Sequence, residues 1–301
     1  MADWREALAA AKPGDFGIIG DPILHSMSLR LQQPALDLWW REKGGHHEKT
    51  PRYILFHVHA ADLRAFVHES KFRRLAGFNV TVPHKTAVMP HLDRLNDFAR
   101  VVGAVNTVKL ENGGFNGYNT DGPGFARTLS NDLNLSPESA LVLGAGGTGQ
   151  VIVHQLLALD VGRIYWWNRT ADRIRPLVDR FENAARVTIA GDLKGVAESC
   201  GRADLVVNAT SVGLNPNDGM PAPGLRFRGG QTAFDVVYHR ETSFLKEARM
   251  AGARVCGGLP MLLHQGADAF KIWTGANAPV ELMKSALLKA VKEKGIDPVW
   301  P

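Results

Sequence analysis

Residues 140–149 read Ala140-Leu-Val-Leu-Gly-Ala-Gly-Gly-Thr-Gly149, a short apolar run followed at once by a glycine-rich turn. The run predicts a buried strand, and residues 149–159 predict a helix. Glycines spaced Gly-x-Gly-x-x-Gly allow a tight turn and close approach of the backbone to a pyrophosphate, while the helix N-terminus offers N–H donors. We therefore predict a dinucleotide site made of Gly144, Ala145, Gly146, Gly147, Thr148 and Gly149. The open alternative is a glycine-rich turn without a ligand.

The end of the next predicted strand indicates which dinucleotide binds. A site for NAD usually has Asp or Glu there, about 20 residues after the glycines, to bind the ribose 2′-hydroxyl. Here the chain has Asn168, Arg169 and Thr170, and Arg173 follows Arg169 at i+4. Two guanidinium groups can bind a 2′-phosphate that a carboxylate would repel. We therefore predict NADP as the cofactor, bound by these four residues; the alternative is that both arginines are solvated residues at a helix start.

The rest of the chain repeats the alternation of strand and helix. Predicted strands cover residues 16–20, 52–58, 77–82, 104–110, 140–143, 163–167, 185–189, 204–208 and 232–237. Predicted helices cover residues 28–43, 61–69, 87–98, 125–134, 149–159, 172–182, 244–252, 261–273 and 279–294. This alternation indicates βαβ units and mainly parallel sheets. The predicted fold is α/β with two domains: a substrate-binding domain at 1–120, to which 259–301 returns, and a Rossmann-like NADP-binding domain at 121–258.

Composition fits two packed cores and argues against several classes of function. The chain has 301 residues, of which 45% are hydrophobic and 22% charged, as expected for about two domains. Its 35 basic residues exceed 30 acidic ones without forming a Lys/Arg-rich block, so nucleic acid is not the expected partner. No run approaches the roughly 18 apolar residues of a membrane span, and the N-terminus does not resemble a signal peptide. We therefore expect a cytoplasmic protein that does not bind a membrane.

The residues that could bind a metal are scattered in the sequence. Cys200 and Cys256 lie in different predicted segments and belong to no Cys/His cluster, so neither zinc nor a disulfide is expected. His57 and His59 lie one residue apart on a strand, and His46-His47 lies in a loop. Both pairs are more typical of surface histidines than of ligands. We expect a reaction that uses no metal.

Two polar segments contain the strongest candidates for catalysis. They read Asn79-Val-Thr-Val-Pro-His-Lys85 and Asn116-Gly-Tyr-Asn-Thr-Asp-Gly122. Lys85 follows a predicted strand, where α/β proteins bind ligands, and an ammonium oriented by a carboxylate can polarise a carbonyl and supply a proton. We predict that Lys85 and Asp121 form this pair. Considered alone, Lys85 would be interpreted as a surface lysine and Asp121 as a helix cap. They are accompanied by polar residues suited to a pocket: Ser26, Ser28, Thr81, Asn106 and Gln265.

Seven longer motifs follow one another between Phe16 and Gly275. They read Gly20-Asp-Pro-Ile-Leu-His-Ser-Met-Ser28, Asn79-Val-Thr-Val-Pro-His-Lys85, Gly103-Ala-Val-Asn-Thr107, Tyr118-Asn-Thr-Asp-Gly122, Asn168-Arg-Thr170, Asn208-Ala-Thr-Ser-Val-Gly213 and Gly257-Gly-Leu-Pro-Met-Leu-Leu-His-Gln265. In these motifs the chain resembles the shikimate dehydrogenase family. The resemblance implies an NADP-dependent enzyme that reversibly reduces 3-dehydroshikimate to shikimate, on the route to chorismate and the aromatic amino acids.

The resemblance also implies a role for each matching residue. Ser26 and Ser28 would donate hydrogen bonds to the substrate carboxylate, and Lys85 and Asp121 would flank the carbon that is reduced. The ring hydroxyls would be bound by Thr81, Asn106 and Gln265. A substrate-facing tyrosine and two positions whose backbone lines the nicotinamide would be Tyr238, Val236 and Gly258. The expected partner is a small-molecule substrate, and the protein would be a monomer or a homodimer.

A few positions depart from the family's pattern. The family usually has a proline at Leu29, His-Asn at Gln32-Gln33, and a small polar residue followed by proline at His239-Arg240. The last two departures could alter substrate preference, while the predicted catalytic residues are retained. Two alternatives therefore stay open: a paralogue that acts on quinate or an amino-substituted analogue, and a non-catalytic sensor that binds shikimate.

Overall fold

The structure is a computed structural model that describes residues 3–296 and 298–301. The chain forms two compact units. Unit 1 comprises Met1–Thr120 and Gln265–Ala290, and unit 2 comprises Asp121–His264 and Val291–Pro301. The C-terminal part grouped with the first unit is therefore shorter than the predicted segment 259–301. Residues 1, 2 and 297, which the predicted domains include, lie outside the described residues.

The sheet of unit 1 combines parallel and antiparallel strands. Its strands are β1 (Phe16–Gly20), β2 (Tyr53–His57), β3 (Gly77–Val80), β4 (Arg94–Leu95), β5 (Thr107–Glu111) and β6 (Gly114–Tyr118), in the order β2-β1-β3-β5-β6-β4. The predicted parallel pairing holds for β1, β2 and β3, whereas β5 is antiparallel to β3 and β6. Asn112 and Gly113, both at positive φ, connect β5 to β6. Such a two-residue turn forms a hairpin, which makes its strands antiparallel.

The N-terminal helices of unit 1 are α1 (Trp4–Ala9), α2 (Ser28–Glu42), α3 (Leu63–Phe72), α4 (His84–Ala87) and α5 (Asp97–Val102). The predicted helix over residues 87–98 is wrong. A short 3-10 turn at Met89–His91 leads instead into extended backbone and β4. Pro90 disfavours a longer helix, and α5 begins only after Asn96, whose side-chain oxygen accepts the N–H of Ala99 at 2.9 Å.

Unit 2 has an all-parallel sheet with the strand order of a Rossmann fold. Its strands are β7 (Ser139–Leu143), β8 (Arg163–Trp167), β9 (Val187–Ile189), β10 (Leu205–Asn208), β11 (Thr232–Asp235) and β12 (Arg254–Cys256), in the order β12-β11-β10-β7-β8-β9. The chain leaves β7 in one direction towards β8 and β9 and later returns to its other side at β10. This reversal places a ligand crevice beyond the carboxyl ends of β7 and β10. The predicted α/β class is confirmed.

The remaining helices are α6 (Asp121–Arg127), α7 (Gly147–Ala158), α8 (Arg175–Val178), α9 (Leu193–Arg202), α10 (Ser243–Met250), α11 (Leu259–Thr274) and α12 (Val280–Glu293). The predicted helix at 172–182 is reduced to a 3-10 turn and the four residues of α8, near whose start Pro176 lies. The predicted helix at 125–134 begins earlier, at Asp121, and ends in a π-helical turn, Thr128–Asp132. Within residues 3–296 and 298–301, no helix has both the length and the apolar character that crossing a bilayer requires.

Aromatic rings pack in the core of unit 1, and a hydrogen bond attaches α11 to its sheet. The ring of Phe78 on β3 lies 5.4 Å from Phe66 and 5.3 Å from Phe115, nearly perpendicular to both, a favourable edge-to-face arrangement. Trp273 of α11 donates its indole N–H to the carbonyl of Val108 on β5 at 2.9 Å. The helix is thereby attached to the sheet next to the polar residues described below.

Candidate active site

The glycine turn of unit 2 is fixed by steric contacts at two of its glycines. Gly144 has φ +105°, and a Cβ there would lie 2.9 Å from the carbonyl oxygen of Ala209. A Cβ on Gly149 would lie 2.2 Å from the carbonyl oxygen of Gly144. At Gly146, in contrast, no atom of the described residues lies within 4 Å of an added Cβ. Protein packing therefore accounts for the first and third glycines, while the second faces open space just before α7.

The N-terminus of α7 is the expected anion-binding end of this turn. Gly146 occupies the N-cap position and has no side chain to accept the first N–H groups of the helix, and a helix N-terminus of this kind is suited to an anion. Gly147 and Thr148 begin the helix itself. The glycine turn thus lies between β7 and α7, where the sequence pattern predicts it.

Two side chains hold the glycine turn against β8. The indole N–H of Trp166, a fully buried residue, donates to the carbonyl of Gly144 at 2.8 Å. The Asn168 carboxamide accepts the N–H of Ala145 at 3.1 Å and donates to the carbonyl of Thr170 at 2.9 Å. The bond of Trp166 to the turn depends on strand register and has no signal in the sequence.

Arg169 and Arg173 follow directly after β8, at the carboxyl edge of the sheet. Both side chains are exposed, and Arg173 lies in the 3-10 turn Ala171–Arg173. This turn is tighter than the predicted helix, but it keeps both arginines at the end of the strand where a Rossmann fold binds the adenosine ribose. An exposed carboxylate, Asp172, lies between them.

A buried carboxylate at the end of β11 was missed by the sequence analysis. Asp235 is fully buried and accepts hydrogen bonds from the Asn208 carboxamide at 3.0 Å, the Thr242 hydroxyl at 2.6 Å and the N–H of Val237 at 3.0 Å. Burial raises the pKa of Asp235 to about 6, against the lowering effect of these donors. The network joins the ends of β10 and β11 to the loop that leads to α10.

Asp235 predicts a distinct pH dependence of stability. The carboxyl titrates near 3.9 in an unfolded chain and at about 6 in the folded protein, so between these values the folded state holds more protons and its stability falls as pH rises. Relative to Asp235→Asn, we expect the wild-type free energy of unfolding to fall by about 2 kcal/mol from about pH 4 to pH 7, measured by urea denaturation. Asp179→Asn, which removes an exposed carboxylate, is the control. The prediction is contradicted if the free energy of unfolding of the wild type, minus that of Asp235→Asn, stays constant or rises from about pH 4 to pH 7.

The backbone after β11 meets the backbone that precedes α11. The N–H of Gly258 donates to the carbonyl of Val237 at 3.1 Å, and a Cβ on Gly258 would lie 2.3 Å from the carbonyl oxygen of Val236. The two predicted nicotinamide-lining positions, Val236 and Gly258, are therefore adjacent in unit 2. Tyr238 follows as a half-buried residue, its ring 5.9 Å from that of His239.

The predicted substrate residues of unit 1 lie along one edge of its sheet. Because β5 is antiparallel to β3, the start of β5 shares this edge with the carboxyl ends of β1 and β3. Backbone hydrogen bonds connect the three strand ends. The N–H of Thr81 donates to the backbone carbonyl of Ile19 at 3.0 Å, and the N–H of Val80 donates to the backbone carbonyl of Asn106 at 2.8 Å. The segments at this edge carry Ser26, Ser28, Thr81, Lys85 and Asn106. Residues far apart in sequence are thus brought to one site.

The segment after β1 combines two hydroxyl groups with a helix N-terminus. The Ser26 hydroxyl oxygen accepts the N–H of Ser28 at 3.2 Å, which leaves the Ser26 hydroxyl hydrogen available to another acceptor. Ser28 is buried and is the first residue of the 15-residue helix α2. The preceding residue, Met27, occupies the N-cap position and has no side-chain oxygen to accept the first N–H groups of the helix. Hydroxyl and backbone donors of this kind are suited to a carboxylate.

Lys85 is half-buried in the short helix α4. Hydrogen bonds of its own carbonyl and of the preceding residue, His84, hold this helix in place. The carbonyl of Lys85 accepts the N–H of Val105 at 2.8 Å. The buried imidazole of His84 bonds through Nε2 to the carbonyl of Val58 at 2.6 Å, and burial lowers the pKa of His84. A neutral imidazole therefore ties α4 to the chain just after β2 and restricts where Lys85 can lie.

Asn106 is the centre of a buried polar cluster. Its carboxamide donates to the Thr120 hydroxyl at 2.9 Å and to the Gln265 side-chain oxygen at 3.3 Å, and it accepts the N–H of Thr120 at 2.8 Å and the Thr107 hydroxyl at 3.0 Å. The structure thus brings together Asn106 and Gln265, which the sequence separates by 159 positions. Asp121, buried at the start of α6, directly follows Thr120 in the chain but belongs to unit 2.

The two glutamines that depart from the family's pattern have structural partners. Gln32 is buried and donates to the carbonyl of Gly266 at 2.9 Å. Gln33 accepts the N–H of Tyr53 at 2.7 Å and donates to the carbonyl of Pro51 at 3.1 Å. Gln32 therefore contacts the residue after Gln265, and a change here can reach the polar cluster through α11. Gln33 instead supports the start of β2.

Comparison with known proteins identifies the family. Three family models match the chain: the shikimate dehydrogenase substrate binding domain over residues 18–108, shikimate/quinate 5-dehydrogenase over 126–215, and the shikimate 5′-dehydrogenase C-terminal domain over 258–288. The chain belongs to the shikimate dehydrogenase family. The prediction drawn from the sequence motifs is confirmed, and the matched segments contain most of the residues described above.

Individual members of the shikimate dehydrogenase family resemble the chain over nearly its whole length. The shikimate dehydrogenase (NADP(+)) of Moorella thermoacetica is 38% identical over 93% of this chain and 95% of its own length. The crystal structure of shikimate dehydrogenase from Aquifex aeolicus has a TM-score of 0.80 at 34% identity, covering 91% of this chain and 97% of that one. Quinate dehydrogenase from Corynebacterium glutamicum, in complex with NAD, has a TM-score of 0.79 at 29% identity, covering 92% and 99%.

Proposed function

We propose that the protein is an NADP-dependent shikimate dehydrogenase that reversibly reduces 3-dehydroshikimate to shikimate for aromatic amino acid biosynthesis. The observation that carries this proposal is the gathering of hydroxyl, carboxamide and ammonium groups at one sheet edge of unit 1, around the buried cluster of Asn106 and Gln265. A site built to bond hydroxyls penalises analogues that lack them. The enzyme class and cofactor agree with the names of relatives such as the protein from Moorella thermoacetica.

Each end of the substrate has a chemically matched group in unit 1. Ser26, Ser28 and the N-terminus of α2 provide hydroxyl and N–H donors for the carboxylate. Thr81, Asn106 and Gln265 provide hydroxyl and carboxamide groups for the ring hydroxyls. The position of Asn106 is fixed by its bonds to Thr107 and Thr120.

Lys85 and Asp121 carry the proposed proton chemistry. NADPH supplies the hydride, and the oxygen of the reduced carbonyl must then gain a proton. The Lys85 ammonium is a suitable donor to that oxygen, and in the reverse direction its amine accepts the proton. Asp121 would orient the ammonium and stabilise its charged form. Tyr238 would contact the substrate, and the backbone of Val236 and Gly258 would contact the nicotinamide.

NADP is proposed over NAD because of the residues after β8. Arg169 and Arg173 are exposed at the edge where the adenosine ribose would lie, and they have the charge and geometry to bind a 2′-phosphate. Gly146, where an added side chain would meet open space rather than protein, allows the pyrophosphate to approach the N-terminus of α7.

Steady-state kinetics of the purified protein test the proposal. We expect 3-dehydroshikimate to be reduced with NADPH, and shikimate to be oxidised with a higher kcat/KM than quinate and with a preference for NADP over NAD. Quinate dehydrogenase is the second candidate, favoured by the similarity to the enzyme from Corynebacterium glutamicum and by Gln32 near the polar cluster. A higher kcat/KM for quinate with NAD would select it, and binding of shikimate without turnover would indicate a sensor.

A further inference from the structure

Three side chains able to ligate a metal meet beside β1 and β2. Asp21 follows β1, His57 ends β2, and His59 lies two residues further on. The Nε2 atom of His57 is 2.6 Å from one carboxylate oxygen of Asp21, and the Nδ1 atom of His59 is 2.8 Å from the other. One ligand atom from each residue lies within 4.8 Å of the other two. The two histidines had been read as surface residues without ligand function, but only His59 is exposed.

The backbone that carries this triad is well fixed within unit 1. Gly20 and His57 are register partners in β1 and β2, and the N–H of Asp21 donates to the carbonyl of Val82 at 3.0 Å. His59 remains extended, with φ −73° and ψ 157°, so its side chain lies on the same face as that of His57. Ligands on strands and tied loops hold their relative positions better than ligands on a free loop.

We propose that Asp21, His57 and His59 bind a divalent transition-metal ion, with Zn²⁺ as the best match, in a site separate from the dehydrogenase chemistry. Two imidazoles and one carboxylate form a common three-ligand zinc set, completed by water at the fourth position. The side chains of Asp21, His57 and His59 are 33%, 22% and 62% exposed, so the ion and its water can enter from solvent.

The geometry needs only a small adjustment to hold the ion. In a tetrahedral site with metal–ligand distances near 2.0–2.1 Å, neighbouring ligand atoms lie about 3.3 Å apart. The His57–Asp21 and His59–Asp21 contacts, at 2.6 and 2.8 Å, must therefore lengthen by about 0.7 and 0.5 Å, and exposed His59 has room to rotate. The ion takes the place of the hydrogen between each ring nitrogen and the carboxylate, and each imidazole then carries its hydrogen on the other ring nitrogen.

An ion in this site would cross-link the ends of β1 and β2. The segment after β1 continues from Asp21 to Ser26 and Ser28, so the ion would fix the beginning of the loop that carries the two serines. Because the ion binds the folded arrangement and the separated ligands of the unfolded chain much less well, it should raise the melting temperature. The proposed hydride and proton transfers do not use it.

Titration of the tag-free protein with Zn²⁺, after chelator treatment and dialysis, tests the proposal. Calorimetry should find one ion per chain with a Kd below roughly 100 µM, and Co²⁺ should give the strong visible absorption of a four-coordinate site. His57→Gln and His59→Gln should each weaken binding at least about tenfold. His68→Gln, which removes an exposed histidine of α3, is the matched control and should bind as the wild type does.

Melting curves recorded with chelator and with Zn²⁺ separate lost binding from lost folding. The wild type and His68→Gln should melt at a higher temperature with Zn²⁺, while His59→Gln and the isosteric Asp21→Asn should fold in chelator and show a smaller shift. Equal affinity in wild type, His57→Gln and His59→Gln would overturn the proposal. So would a failure of the wild type to bind Zn²⁺ and Co²⁺ in this range, which would leave the triad as a hydrogen-bonded cluster.

Discussion

Replacing Lys85 with alanine is expected to lower kcat for reduction of 3-dehydroshikimate by about 10²–10⁴, with a smaller change in KM. The alanine keeps the backbone bond in which the residue's carbonyl accepts the N–H of Val105, so α4 should retain its place. What is lost is the proton donor to the oxygen of the reduced carbonyl, an interaction that gains most of its strength in the transition state. The measurement is initial velocity against substrate concentration at saturating NADPH.

Two companion variants make the Lys85 result specific. Lys49→Ala removes an exposed lysine of the same unit and should leave kcat unchanged. Lys85→Arg keeps the positive charge but gives up its proton far less readily, so kcat should stay well below that of the wild type. If Lys85→Ala instead raised KM and kept kcat, Lys85 would only bind substrate and the proposed proton transfer would be wrong.

Local steric and topological rules explain why much of the site was predictable. Gly144 and Gly149 are required by backbone contacts that a glycine pattern encodes directly. The strand ends that carry Ser26 and Thr81 could be placed at one edge because β1 and β3 are parallel neighbours. The first case follows from a short segment and the second from the rule that parallel strands end at one edge of a sheet, and the sequence alone is enough to recognise both.

Contacts between distant segments explain what the sequence could not predict. His57 and Asp21 are 36 positions apart, and they meet only because β1 pairs with β2 in one particular register. Asp235 looks like an ordinary strand-end aspartate until the three donors around it are known. The apolar spacing of residues 87–98 also suits a helix, but Asp93 is held by Lys71 and by the N–H of Phe115. Tertiary bonds of this kind override local preference.

Removing both arginines after β8 should convert the cofactor preference. In the double variant Arg169→Ala/Arg173→Ala we expect kcat/KM for NADP to fall by about 10²–10⁴, because each of two charge-assisted bonds to the 2′-phosphate contributes roughly 1.5–3 kcal/mol. The value for NAD should change by less than about threefold, since NAD has a hydroxyl in place of the phosphate. The glycine turn is held by Trp166 and Asn168, so it should persist in the variant. The ratio of kcat/KM for the two cofactors measures the effect.

Arg163→Ala is the matched control for this double variant. It removes an exposed arginine from the first position of β8, at the opposite end of the same strand from Arg169. Arg163→Ala then lowers the overall positive charge without a change near the proposed 2′-phosphate site. The ratio of kcat/KM for NADP to kcat/KM for NAD should therefore stay the same. Equal losses for NADP and NAD in the double variant would mean that the arginines act through folding or through the pyrophosphate they share. The assignment of NADP would then have to come from other residues at the carboxyl edge of the sheet.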